Sequence, residues 1–163
     1  MATHFENKKF QSINSVTFGK ESHLLYFTHS CDWSMKEYHL ELLYKTGTGK
    51  LFELNLKTKT IKKILEGLQF ANGIAYSEKE NCLYVNEINL YRIIRVPLGE
   101  PQTQKYTVVI DNLIGYPDNL KITDDGKLWA ACPSLRDPMN VYIDNTPIIR
   151  KAIINMRLSP SLF

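Results

Sequence analysis

An internal repeat constrains the fold of this chain more than any other feature of its sequence. Written without gaps, INSVTFGKESHLLYFTH (residues 13–29) lies over ANGIAYSEKENCLYVNE (71–87) at an offset of 58, and YPDNLKITDDGKLWAA (116–131) fits once one residue is removed from its turn. Each copy reads as a strand, a polar turn and a second strand. Val16 and Phe18, Ile74 and Tyr76, and Leu120 and Ile122 alternate with the period of two that a half-buried strand requires. Gly19-Lys20-Glu21-Ser22, Ser77-Glu78-Lys79-Glu80 and Asp124-Asp125-Gly126-Lys127 are hairpin turns. Two more strand pairs lie between the copies, one on either side of Lys57-Thr58-Lys59-Thr60 and one on either side of Gly99-Glu100-Pro101-Gln102. Four strands in roughly 40–50 residues make a β-propeller blade. The fold class expected is all-β, a propeller of about three to four blades with a short C-terminal helix.

Composition agrees with a packed chain and excludes several roles. The 163 residues carry 20 Lys and Arg against 17 Asp and Glu, a net charge of +3. That excess is too small and too evenly mixed for counterion release to drive nucleic-acid binding. Nine Tyr, seven Phe and two Trp supply enough buriable surface to exclude disorder. No apolar run approaches the roughly 20 residues of a membrane-spanning helix, and MATHFENKKFQ has no apolar stretch of a signal peptide. Cys31, Cys82 and Cys132 are an odd number without C-x-x-C spacing, so they read as reduced, mostly buried thiols.

The C-terminal part departs from the repeat. Pro147 opens a helix that Asn145 or Thr146 can cap, with Ile148, Ile149, Ala152, Ile153 and Met156 as its apolar stripe and Arg150, Lys151 and Arg157 beside it. The stripe is short for interfacial anchoring, which favours packing on the propeller rim over a membrane-surface role. The expected organisation is a tail over 1–12, a partial propeller over 13–142, and a helical excursion with a C-terminal tail over 143–163.

The repeat also places polar residues in register. Asn14, Asn72 and Asp118, the last followed by Asn119, open the three repeated strand pairs. Inner strands of a propeller run beside the central channel, so equivalent positions converge on its axis. A ring of carboxamide and carboxylate oxygens without sulfur or imidazole suits a hard cation, calcium above all. The alternative, that these side chains satisfy turn backbone as Asn and Asp commonly do, stays open at this level.

The stretch YFTHSCDWSMKEYHLELLYKTGTGKLFELNLKTKTIKKILEGLQFANGIAYS, followed by NEINLYRIIRV and IGYPDNL, resembles the strictosidine synthase-like family. Within it the likeness is to the branch of the adipocyte plasma membrane-associated proteins, and it runs over residues 13–156. The resemblance implies a six-bladed propeller related to the calcium-dependent paraoxonase type. It implies that Asn72, Asp118 and Asn119 are calcium ligands, with Asn14 matching the Asn of the preceding blade. Two positions depart from the family pattern: Ser15 stands where an acidic residue is usual, and His29 stands where FTDSS would place an Asp. The resemblance further implies amine–aldehyde condensation or ester and lactone hydrolysis on a small-molecule substrate. The glutamate used for condensation belongs to a late blade outside this sequence. Family members are commonly secretory, vacuolar or membrane-anchored.

His29 matches Glu87 in the repeat, and a His and a Glu near one pocket are candidates for base and orienter in hydrolysis. A hydrogen-bonded structural histidine is the plainer reading. His4, His23 and His39 fall in a tail, a turn and a loop. Gly47-Thr48-Gly49-Lys50 has Leu51 where a phosphate loop needs Ser or Thr, so it reads as a turn entering a strand. Trp33, Tyr38 and Tyr44 either line a substrate entrance or pack between blades. Two functions follow: an enzyme-like domain with a central calcium, or a non-catalytic propeller fragment. About three blades cannot close a ring, so the second reading expects self-association or blades supplied by a longer chain or a partner.

Overall fold

The computed structural model describes residues 3–34, 36–99 and 105–155. Met156 and Arg157 of the expected helix, and Glu100-Pro101-Gln102 of the expected loop, lie outside the described residues. A small hairpin of β1 (His4–Phe5) and β2 (Lys8–Lys9) comes first, inside the stretch read from sequence as a tail. The first blade then consists of β3 (Ile13–Phe18), β4 (Leu24–His29), β5 (Gly49–Asn55) and β6 (Thr60–Leu68), antiparallel in that order. The second is β7 (Ala71–Ser77), β8 (Cys82–Glu87), β9 (Arg92–Pro97) and β10 (Thr107–Ile110). A third sheet pairs β11 (Leu120–Ile122) with β12 (Leu128–Ala130), the inner two strands of a further blade. The fold is thus a β-propeller segment. Its innermost strands lie side by side, β7 against β3 on one side and β11 on the other.

Packing between blades follows from the strand alternation. Tyr26, Leu51, Leu65 and Leu68 of the first blade close on Ala71, Ile74, Leu83, Val85, Ile94 and Val96 of the second. The opposite face of the second blade presents Cys82, Tyr84 and Ile93 to Leu120, Ile122, Leu128 and Ala130 of the third. The early hairpin covers part of the first blade's outer face, where Phe5 and Phe10 set their rings edge-on to Phe52, and Phe10 does the same to Phe27. The remaining outer faces stay open: Val16 and Phe18 are 58% and 59% exposed and Trp129 is 63% exposed. All three cysteines are free, with Cys31 and Cys82 buried.

Three α-helices among the described residues gather at one end. His39, read from sequence as lying in a loop, opens α1 (His39–Tyr44). It is fixed by Glu41, a fully buried carboxylate that accepts from Trp33 Nε1 (3.1 Å), the Gly47 amide (3.1 Å) and the Thr46 hydroxyl. Trp33 also packs its ring on Tyr44. Next comes α2 (Pro138–Asn145), which the sequence reading missed although its start is written in Asp137-Pro138. The Asp137 carboxylate accepts from the Met139 and Asn140 amides (2.7 and 3.2 Å), and proline fills the first helical position. The helical part therefore begins at Pro138 rather than at 143. As expected, α3 opens at Pro147 and runs to Asn155. Its buried side differs from the expected stripe. Ile149, Ile153 and Ile154 are half-buried, whereas Ile148 is 82% exposed and Ala152 is also exposed, because contact with α1 and α2 falls on the other flank.

Candidate functional site

The repeated strand pair carries a repeated irregularity. In the first blade Ile13 faces His29 and Val16 faces Phe27, so one extra residue is accommodated at Asn14-Ser15. In the second, Ala71 faces Glu87 and Ile74 faces Val85, which puts the same bulge at Asn72-Gly73. The third copy matches: the Asp118 amide donates to the Ala131 carbonyl, and the Ala131 amide donates to the Asn119 carbonyl (2.8 and 2.9 Å). A bulge bends its strand and re-aims its side chains. Asn14, Asn72 and Asp118 are thus turned the same way on three successive inner strands.

They share one cavity of about 650 Å³. Its floor repeats with the blades. Ser12, Phe70 and Tyr116 line it two residues before Asn14, Asn72 and Asp118 respectively. Ile88, Asn89 and Tyr91 form a wall, and Tyr38, Ile143 and Asp144 come from the helical end. That end is tied down by Lys45 to Asp144 (2.8 Å), Tyr91 Oη to Asp144 (3.2 Å) and the Asn89 side-chain amide to the Glu41 carbonyl (2.9 Å). Asn72 is 6% exposed, and its Oδ1 is buried without a hydrogen-bond partner. Asn14 and Asn119 are both exposed, but only Asn14 is among the lining residues. His39 lines the cavity from α1, with a buried Nε2 that has no partner. Nothing in the sequence hints at this, because α1 interrupts the strand pattern without a side-chain cap or a period of its own.

The blades approach most closely at the bulges. The Gly73 amide donates to the Asp118 carbonyl (2.9 Å), and a Cβ on Gly73 would collide with that carbonyl and sit 2.6 Å from the Leu120 nitrogen. The junction between the first and second blades, where Ser15 takes the place of the glycine, is bridged instead. The Ser15 amide donates to Thr28 Oγ1 (3.1 Å), and the Thr28 hydroxyl donates to the Asn72 carbonyl (2.6 Å).

His29 and Glu87 occupy equivalent places in successive blades, so each has its own surroundings, and neither lines the cavity. Glu87 is buried, ion-paired with Arg92 Nε (2.6 Å), and accepts from the Gln69 amide (2.8 Å). His29 is buried beside Phe10, accepts weakly from the Gln11 amide at Nε2 (3.4 Å), and faces Asp32 (3.8 Å) at Nδ1. Burial, aided by the Lys50 ammonium and opposed by Asp32, pushes its pKa down to about 4. The unfolded chain takes up this proton near pH 6.5 while the folded chain resists it. Stability should therefore fall as pH drops from about 6.5 to about 4 and change no further through this group below that. The expected loss is on the order of 2 kcal/mol after allowance for solvent screening. Thermal midpoints between pH 7 and 4 check it: His29→Gln should flatten that limb, and an unchanged slope would contradict the assignment.

With the bulged inner strands and the shared cavity described, the relatives can be placed beside them. The strictosidine synthase family model matches residues 14–101. The chain belongs to the strictosidine synthase family. Among curated members, the adipocyte plasma membrane-associated protein of Mus musculus is 31% identical over 94% of this chain and 38% of its own length. Strictosidine synthase-like 13 of Arabidopsis thaliana is 30% identical over 99% of this chain and 40% of its own. This family member thus spans about two fifths of the length of those relatives. Among solved structures, a gluconolactonase from Xanthomonas campestris superposes with a TM-score of 0.64 at 17% identity, over 81% of this chain and 44% of that one. The calcium-binding protein regucalcin from Agrobacterium tumefaciens gives 0.57 at 22% identity, over 74% and 38%. Both likenesses bear on the propeller fold of this strictosidine synthase family chain.

Proposed function

We propose that the cavity is the binding site of a small-molecule ester or lactone hydrolase with calcium at the propeller axis. One observation carries the reading: three repeat-equivalent oxygen-bearing side chains, Asn14, Asn72 and Asp118, line a single cavity, and the buried Asn72 Oδ1 has no partner within the protein. A desolvated carbonyl oxygen left unpaired costs about 1–3 kcal/mol, which a cation or a polar ligand would relieve. The donor set fits a hard cation, since it is all oxygen with one carboxylate. Asn14, Asn72 and Asp118 bring no imidazole or thiolate, the ligands that zinc favours. Asn14, Asn72 and Asp118 would hold the ion; Asn119, which does not line the cavity, is not among the proposed donors.

Calcium bound there would act as a Lewis acid toward a carbonyl oxygen. The chain's own residues supply the rest of the site. Phe70, Ile88 and Tyr116 offer apolar walls that orient the body of a substrate and exclude water around the carbonyl. The helical end, pinned through Lys45 and Asp144, lines one side of the cavity. The names of the structural neighbours, a gluconolactonase and a calcium-binding protein, support this reading without deciding the substrate. The test is hydrolysis of an aryl ester and a simple lactone by the purified chain, with calcium and after chelation. Turnover should require calcium, and Asp118→Ala should lower it at least about a hundredfold. Turnover indifferent to chelation, or none with calcium saturating, would overturn the proposal.

A further inference from the structure

We infer that Thr28 and Asn86 are positioning residues, each setting the channel residue of the next blade so that its side chain can serve the axial cation; the inference rests on the calcium reading above. The two residues are equivalent in the repeat, at the offset of 58 that relates Asn14 to Asn72. Both side chains are fully buried, on β4 and β8, one strand out from the axis. Each reaches across to the following blade and donates to the main-chain carbonyl of that blade's channel residue. Thr28 Oγ1 donates to the Asn72 carbonyl at 2.6 Å, and Asn86 Nδ2 donates to the Asp118 carbonyl.

The partners on the near side repeat as well. The second bulge residue of the first blade, Ser15, donates its amide to Thr28 Oγ1. The second bulge residue of the next, Gly73, donates its amide directly to Asp118. The Thr28 hydroxyl has one proton and two acceptors in reach, the Asn72 carbonyl at 2.6 Å and the Ser15 carbonyl at 3.5 Å, so the bond across the blades takes it. At the first junction hydrogen bonds therefore run from the Ser15 amide through Thr28 Oγ1 to the Asn72 carbonyl, and at the second the Gly73 amide and Asn86 Nδ2 converge on the Asp118 carbonyl. A bulge is the least constrained part of a ladder, because its extra residue is unpaired. Buried bonds onto that residue's carbonyl remove this freedom at the point where ligand oxygens must be placed. In the third copy the equivalent position is Ala131, whose side chain has no donor. Groups that orient ligands in this way typically change metal affinity by about ten- to a hundredfold when removed.

Calcium titrations of the purified chain decide the matter, run well below the thermal midpoint of each variant. Thr28→Val keeps the shape and removes the hydroxyl, Thr28→Ser restores the donor, and Asn86→Leu keeps about the same size and removes the donor without adding a charge. The calcium Kd should rise about ten- to a hundredfold for Thr28→Val and for Asn86→Leu, and return to the wild-type value for Thr28→Ser. If Thr28→Val does not fold, Asn86→Leu and Thr28→Ser carry the comparison. Variants that melt lower but bind calcium as tightly as wild type would overturn the positioning role while leaving the calcium reading intact. A wild-type chain that binds no calcium would overturn both.

Discussion

Gly73→Ala is expected to destabilise the chain by about 3 kcal/mol and to weaken whatever binds in the cavity. The added methyl has no space. It would sit 2.6 Å from the Leu120 nitrogen and 2.9 Å from the Asn119 carbonyl carbon, besides colliding with the Asp118 carbonyl. These are backbone atoms, so no side-chain rotation relieves the overlap, and the third inner strand has to move away from the second. That motion breaks the Gly73–Asp118 hydrogen bond and carries Asp118 out of register with Asn72. Gly67 is the control, because a methyl there meets nothing within 4 Å, although its positive φ adds a modest backbone cost. Equilibrium denaturation checks the prediction. A Gly73→Ala variant as stable as wild type would mean that the blades are not in contact at the axis.

Glu87→Leu is the second large effect, expected at about 3 kcal/mol of lost stability. The carboxylate is 1% exposed and satisfies two groups at once, the Arg92 guanidinium at 2.6 Å and the Gln69 amide at 2.8 Å. Removing it strands a partly buried cation and a main-chain donor. Arg92 also bonds Tyr106 Oη (3.4 Å) and lies over that ring, so it cannot leave freely for solvent. The double variant Glu87→Leu with Arg92→Leu should recover part of the loss, because it is the unpaired charge that costs most. The same variant separates a structural role from a catalytic one. Measured where the variant is folded, calcium-dependent hydrolysis should be unchanged, since Glu87 does not line the cavity.

How far the sequence alone reaches can be judged from particular elements. The repeat fixed the inner strand pairs because alternation, turn chemistry and residue identity all agree there. It also brought Asn14, Asn72 and Asp118 to equivalent positions, and the three do share a cavity. Asn119 lies outside the lining of that cavity, a matter of side-chain direction that spacing does not encode. His29 and Glu87 looked like a pair because they align in the repeat. They stand on β4 and β8, one strand out from the axis, where equivalent positions no longer converge, and neither lines the cavity. The helices were harder. The Asp137-Pro138 signal at the start of α2 was legible, whereas α1 is held by the tertiary contacts of Glu41 and carries little local signal. The bonds from Thr28 and Asn86 were invisible for a related reason: Thr and Asn differ in shape, and their common role is apparent only from the carbonyls they reach.

The central claim is that the repeat-equivalent oxygens of Asn14, Asn72 and Asp118 form one cation site. Isothermal titration of calcium into the purified wild-type chain and into Asp118→Ala tests it most directly. The account predicts saturable binding at a single site in the wild type and its loss in the variant, with magnesium, smaller and reluctant to shed water, binding more weakly. No calcium binding in the wild type, or equal affinity in Asp118→Ala, would contradict it.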